Sequence, residues 1–229
     1  MKETIHPIII ELFGLPGCGK TTLRDNLVKY SGRDRTYSLM TELSSQYRHL
    51  PFWRKIQHIP WKMWWLLLRF FMSMPLLPLK EWVYYKVFFS FALIYSYSRY
   101  AKGSSFIIVD HGFVQAVVSL MHGHLTRLSK NQEIRFIEIT RLLPNTKFVY
   151  CKLPAEVSFQ RIRSRKRDVG RLDVLKDDEL LRNQLIEEKY IFESLYEGFN
   201  ALGYQKCYML DSALSVDNCV NNLTDIIVR

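Results

Sequence analysis

The stretch Glu11–Leu23, ELFGLPGCGKTTL, holds Gly14, four intervening residues, then Gly19, Lys20 and Thr21. An apolar, β-branched run, Ile8–Phe13, leads into it, and Lys20–Tyr30 follows with Leu23, Leu27 and Tyr30 at helical spacing before Ser31 and Gly32. A strand, a glycine-rich turn and a helix in that order constrain the fold more than any other feature. Such a turn points successive backbone N–H groups at one anion, and the helix adds its positive N-terminal end. Lys20 would reach the β- and γ-phosphates of a bound nucleotide, and the Thr21 hydroxyl would bind Mg²⁺. The competing reading is an ordinary glycine-rich strand-to-helix turn; the flanking strand and helix favour the phosphate loop. Cys18 reads as a small residue that fits the loop.

The rest of the chain repeats the alternation. Thr36–Thr41, Ser105–Val109, Lys147–Cys151 and Tyr204–Leu210 read as strands. Val114–Gly123, Lys130–Leu143, Ala155–Arg165, Asp177–Leu202 and Val216–Val228 read as helices between and after them. Five strands alternating with helices predict a parallel sheet covered on both faces, a three-layer α/β/α arrangement of the P-loop NTPase kind. With 229 residues and 48% apolar side chains, a full core and one domain over 1–229 are expected.

In such sheets ligands bind beyond the C-terminal strand ends. Glu42, in MTE, and Asp110, in IIVDHG, both fall there. Either could hold Mg²⁺ through water or take a proton from an attacking hydroxyl; the competing reading is a helix cap. His111 could touch substrate or be a satisfied local histidine, and His122 and His124 read as structural. Residues 161–173, RIRSRKRDVGRLD, place Arg161 with Arg165 on one helix face and Arg163 with Arg167 on another, with Gly170 as a turn. So dense a set of like charges suits a lid over transferring phosphates, where arginine stabilises charge on the equatorial oxygens. A solvated basic face is the alternative.

The net charge of +10 favours anionic partners. Most of it sits in residues 48–102, which hold nine Lys or Arg against Glu81 alone, 16 of the 32 aromatic residues and all five tryptophans. Three readings compete for this segment. Trp82–Tyr100 suits a core helix. Trp61–Met74, WKMWWLLLRFFMSM, mixes Trp with Lys62 and Arg69 and is closed by Pro75 and Pro78; it is too short to span a bilayer and suits its interface, a peripheral contact through 52–80. Single-stranded nucleic acid fits less well, because base stacking needs a few exposed rings rather than a run of Leu and Phe. The four cysteines form no CxxC pair, which disfavours zinc and fits a reducing cytosol. The N-terminus shows no signal-peptide pattern, so a cytoplasmic chain, peripheral at most to the inner face of a membrane, is expected.

Taken in order, the loop, IIVDHG followed by FVQ, KFVYCKLPAEVSFQRIRSRKR and YMLD resemble the nucleoside monophosphate kinase-like P-loop kinases, especially the thymidylate kinase and deoxynucleoside kinase branch. The resemblance covers roughly 6–46 and 104–229. It implies that Gly14–Thr22, including Pro16, Gly17, Cys18 and Thr22, cradles ATP phosphates. It further implies that Arg161 and Asp211–Ala213 lie near the adenine, that Arg165 and Arg167 with Arg171 contact the phosphoryl group, and that Glu42 corresponds to the deoxynucleoside kinase base. His111 stands where thymidylate kinases carry Arg, and Leu15 and Pro16 replace a common acidic residue. The expectation is an ATP- and Mg²⁺-dependent kinase of a small-molecule acceptor, built by 48–102, with 161–173 as lid. The competing class is a membrane-surface NTP-binding regulator with slow hydrolysis; a homodimer stays open.

Overall fold

Alternation along the first strand decides where the core divides. In Ile8–Phe13 (β1) successive side chains point to opposite faces. Ile9 and Phe13 enter the larger core cluster, and Ile10 and Leu12 the smaller. Glu11 has the parity of Ile9 and Phe13, so a carboxylate enters the larger core. The computed structural model describes residues 7–30, 37–57, 59–74, 82–98, 106–121, 128–165, 172 and 175–228, with 30, 37–43, 52, 56 and 228 by backbone only.

The chain continues through Lys20–Tyr30 (α1), Tyr37–Leu39 (β2), Met40–Arg48 (α2), Phe52–Gln57 (α3), Trp61–Ser73 (α4) and Trp82–Tyr97 (α5). Then come Phe106–Val109 (β3), Phe113–Met121 (α6), Lys130–Leu142 (α7) and Thr146–Lys152 (β4). Ala155–Arg163 (α8), Asp178–Ala201 (α9), Cys207–Asp211 (β5) and Val216–Val228 (α10) complete it. Four full strands, β3-β1-β4-β5, form the body of a parallel sheet, and the three-residue β2 extends it beside β3. The register pairs Ile10 with Ile108 on one side of β1 and Glu11 with Phe148 on the other.

Helices α4 to α7 and α9 supply the larger core; α1 and α10 cover the opposite face. Aromatic stacking ties the larger layer together: Phe113 lies 4.6 Å from Phe88 and 5.2 Å from Phe136, ring centre to ring centre. Three local devices set element ends. Ser129 and Gln132 form a reciprocal capping box at α7. Asp177 caps α9 by accepting from the Leu180 N–H at 3.0 Å. Helix α4 starts after Pro60 and stops at Ser73, two residues before Pro75 in the sequence.

The elements depart from the sequence reading at three places. The second strand is Tyr37–Leu39 rather than Thr36–Thr41, and α2 begins at Met40, so Glu42 stands in the first turn of a helix and not at a strand end. The last strand starts at Cys207 rather than Tyr204. Gly203 reverses the chain in the left-handed region, and Tyr204 turns into the core, its N–H donating to Phe199 O at 2.8 Å and its hydroxyl reaching Thr146 O at 3.3 Å. Helix α8 ends at Arg163, so Arg165 is not helical.

Candidate functional site

The C-terminal end of β1 runs straight into the loop 14–20. Gly14 has φ +142°, and a Cβ there would sit 2.5 Å from the Cys151 carbonyl oxygen of β4. Only glycine lets β1 pass so close to its neighbour while turning. Lys20, the first residue of α1, is buried, and its Nζ donates to Gly14 O at 2.7 Å and Leu15 O at 2.9 Å. The loop is braced from α8: the Ser158 hydroxyl donates to Pro16 O, and the Arg161 guanidinium donates to Gly17 O at 3.3 Å.

The Cys18 thiol is buried 3.5 Å from Lys20 Nζ. Burial opposes its ionisation, but the hydrogen bond with the Cys151 thiol and the Lys20 ammonium outweigh that and hold it below the ordinary thiol range. The hydrogen bond to Cys18 pushes the Cys151 thiol up. The four cysteines are all unbridged.

Thr21 and Asp110 meet, as the strand-end argument required. The Thr21 hydroxyl donates to Asp110 Oδ2 at 2.8 Å, and Arg24, one turn further along α1, donates to the same oxygen at 2.9 Å. Arg24 was missed in the sequence; its place four residues after Lys20 was the available signal. Hydroxyl and carboxylate oxygens at the helix start suit Mg²⁺, a hard cation that takes one or two protein oxygens and fills its shell with phosphate and water. Among the described residues no three His, Cys, Asp or Glu side chains converge on a metal position.

Two compartments flank the loop. A cleft of about 580 Å³ runs from Lys20 and Thr21 to a wall containing Tyr84, His111, Gln115 and Glu188. A second, of about 340 Å³, lies on the other side between Arg161, Ser212, Leu214 and Val216. Gly17, Gly19, Thr22 and Arg165 line both. Arg161 and the 211–213 turn are thus brought together: the guanidinium donates to Ser212 O at 3.3 Å. The Asp211 carboxylate instead accepts from the Ala213 N–H at 2.9 Å and shapes that turn. Arg163 is a structural residue, bonded to Asp178 at 2.8 Å and Leu175 O at 2.7 Å. Arg167, Gly170, Arg171, His122 and His124 lie outside the described residues, and so does the side chain of Glu42.

Of the wall residues, His111 was weighed in the sequence; Tyr84, Gln115 and Glu188 went unassigned because helices α5, α6 and α9 carry them there from distant positions. Gln115 is notable: its Oε1 is buried with no hydrogen-bond partner among the described residues. Burial and the Lys20 charge hold His111 below its ordinary range, against the pull of Asp110.

Glu11 fastens the site from beneath. Its carboxylate, fully buried, accepts from the Tyr95 hydroxyl at 2.7 Å and the Val114 N–H at 2.7 Å. It thereby caps α6 directly after the Asp110–Gly112 turn. Burial pushes its pKa up to about 7 from 4.5, against the pull of Tyr95 and the N–H groups of Val114, Phe113 and Gln115. Between those pH values the folded chain keeps a proton that the unfolded chain releases. This contribution is complete below about 4.5 and is lost as pH rises through about 7. Glu11→Gln should therefore flatten the fall in stability across that window, a difference on the order of 3 kcal/mol in chemical denaturation. Parallel pH profiles for parent and variant would contradict the assignment.

No family model matches the chain, and no curated protein does. Solved structures do. A deoxyadenosine kinase from M. mycoides with bound dATP has a TM-score of 0.51 at 14% identity, over 97% of this chain and 100% of that one. The same enzyme with products dCMP and dCDP has a TM-score of 0.51 at 13% identity, over 96% and 98%. A shikimate kinase from Acinetobacter baumannii in complex with shikimate has a TM-score of 0.50 at 13% identity, over 99% and 96%. The chain shares the fold of these deoxyadenosine and shikimate kinases.

Proposed function

We propose that this chain is a kinase that transfers the γ-phosphoryl group of ATP to a hydroxyl or phosphate of a small-molecule acceptor. The observation that carries the reading is the pair of compartments meeting at one phosphate loop, sharing Gly17, Gly19, Thr22 and Arg165. A nucleotide-binding regulator needs the donor compartment alone; a phosphotransferase needs both.

When bound, ATP with Mg²⁺ supplies a phosphoryl group whose transfer spreads charge over its equatorial oxygens. The chain's residues have the remaining roles. Loop 14–20 and Lys20 hold the phosphates, exchanging the Gly14 and Leu15 carbonyls for phosphate oxygens at the ammonium. Arg161, Leu214 and Val216 form the nucleoside side. Thr21 and Asp110 would hold the metal, with Arg24, bonded to Asp110 at 2.9 Å, balancing its charge. Arg165 stands between the compartments, with Arg167 and Arg171 as the lid residues. Asp110 or Glu42 receives the acceptor proton. The segment 48–102 contributes the acceptor wall through Tyr84, and Gln115 offers that wall an unused acceptor oxygen.

The acceptor class stays broad. The similar kinases are named for deoxyadenosine and for shikimate, so this fold serves dissimilar acceptors. The test is incubation with γ-labelled ATP and a panel of nucleosides, nucleotides, sugars and polyprenols. Label is expected in an acceptor, and Asp110→Asn should lower its transfer by on the order of 10²-fold or more. Label released only as free phosphate would favour the regulator instead.

A further inference from the structure

Helix α4 carries two apolar stripes where its packing requires one. Met63, Leu66, Leu67 and Phe70 face inward and are buried. Trp61, Trp65, Leu68 and Met72 recur at the same helical spacing on the outside, exposed by 83%, 54%, 49% and 74%. A surface helix of a globular fold ordinarily turns charged and polar residues outward. Helix α5 extends the outer surface with Trp82, Val83 and Val87, all exposed. Between the two helices lies an apolar groove of about 440 Å³, walled by Trp64, Leu68, Phe71, Trp82, Tyr85 and Phe89 and edged by Lys86.

The charges carried by these helices have one sign. Helices α3, α4 and α5 contain Arg54, Lys55, Lys62, Arg69 and Lys86 and no acidic residue. Lys62 and Arg69 are two turns apart beside the Trp61–Met72 stripe, and both are exposed. A twofold pairing of two copies through this face would set like charges against each other. Tryptophan with lysine and arginine around an aliphatic strip is the composition of an element at lipid headgroup depth. Helix α4 has 13 residues, about 20 Å of rise, and among the described residues no helix is long and apolar enough to cross a membrane.

We propose that the outer face of α4 and α5 docks on an anionic bilayer: Trp61, Trp65, Leu68 and Met72 enter the interface, and Lys62, Arg69 and Lys86 meet the headgroups. The proposal stands apart from the transfer reaction. It is tested by flotation of the whole chain with phosphatidylglycerol-containing and pure phosphatidylcholine vesicles, at low and high salt. The parent should float with the anionic vesicles at low salt and stay down with the neutral ones. Lys62→Gln with Arg69→Gln should weaken partitioning by about thirtyfold. Trp61→Ser with Met72→Ser should abolish flotation, while melting temperature and binding of a fluorescent ATP analogue remain those of the parent. A parent that stays down with anionic vesicles, or variants that float like it, would overturn the proposal. So would a parent dimer that the Trp61 and Met72 changes split without affecting flotation, which would assign the face to a second copy.

Discussion

Lys20→Ala is expected to lower phosphoryl transfer by on the order of 10³-fold or more, read as kcat/KM with whichever acceptor takes label. The ammonium is the one loop group that brings a full positive charge, and it lies buried between the Gly14 and Leu15 carbonyls at 2.7 and 2.9 Å. In a site shielded from water such a charge acts on phosphate oxygens far more strongly than at the surface. Stability should fall as well, by on the order of 1–3 kcal/mol in chemical denaturation, because Gly14 and Leu15 are buried and their carbonyls lose the ammonium that they accept from. Lys20→Arg should not rescue activity, since a planar fork cannot replace a compact ammonium between two carbonyls. Turnover within tenfold of the parent in Lys20→Ala would remove the loop from the chemistry.

Gly112→Ala should cost about 3 kcal/mol of stability in chemical denaturation. A Cβ at residue 112 would lie 2.5 Å from Glu11 Cδ and closer still to the Tyr95 hydroxyl oxygen. Neither can retreat: both residues are fully buried, and they are bonded to each other at 2.7 Å. Relief means breaking the Glu11–Tyr95 bond or shifting α6, and a shift of α6 moves Asp110 and His111 with it. Tyr95→Phe removes the nearest obstructing atom at the cost of one hydrogen bond. The double variant should therefore be more stable than the sum of the single losses allows. Strict additivity would mean that the three residues are not in contact.

The strand-loop-helix unit and the order of the main elements were readable because each rests on short-range periodicity. The loop, Thr21, Asp110 and Arg161 came together as that order implies. Glu42 did not sit where expected, because three residues of strand give way to a helix that the polar MTELSSQY run disguises. Glu11 was overlooked although its signal was present: a carboxylate within IIIELF has no reason to be buried unless something bonds it. Its partners, Tyr95 and Val114, are 84 and 103 residues away, beyond the reach of local pattern. The cleft wall escaped for the same reason, since Tyr84, Gln115 and Glu188 belong to three helices that converge only after packing.

The parallel sheet order has a consequence for how the protein comes into being. Its central strand is made first, yet the loop that follows is held by residues made much later: Asp110 reaches Thr21 across 89 positions, and Arg161 reaches Gly17 across 144. Such contacts carry the loop-closure cost of distant pairing, so this site forms slowly and late. A growing chain stopped before β4 and α8 lacks the braces that shape the phosphate cradle. Nucleotide capture should therefore coincide with completion of the sheet, making it a direct clock for the final folding step during synthesis or refolding.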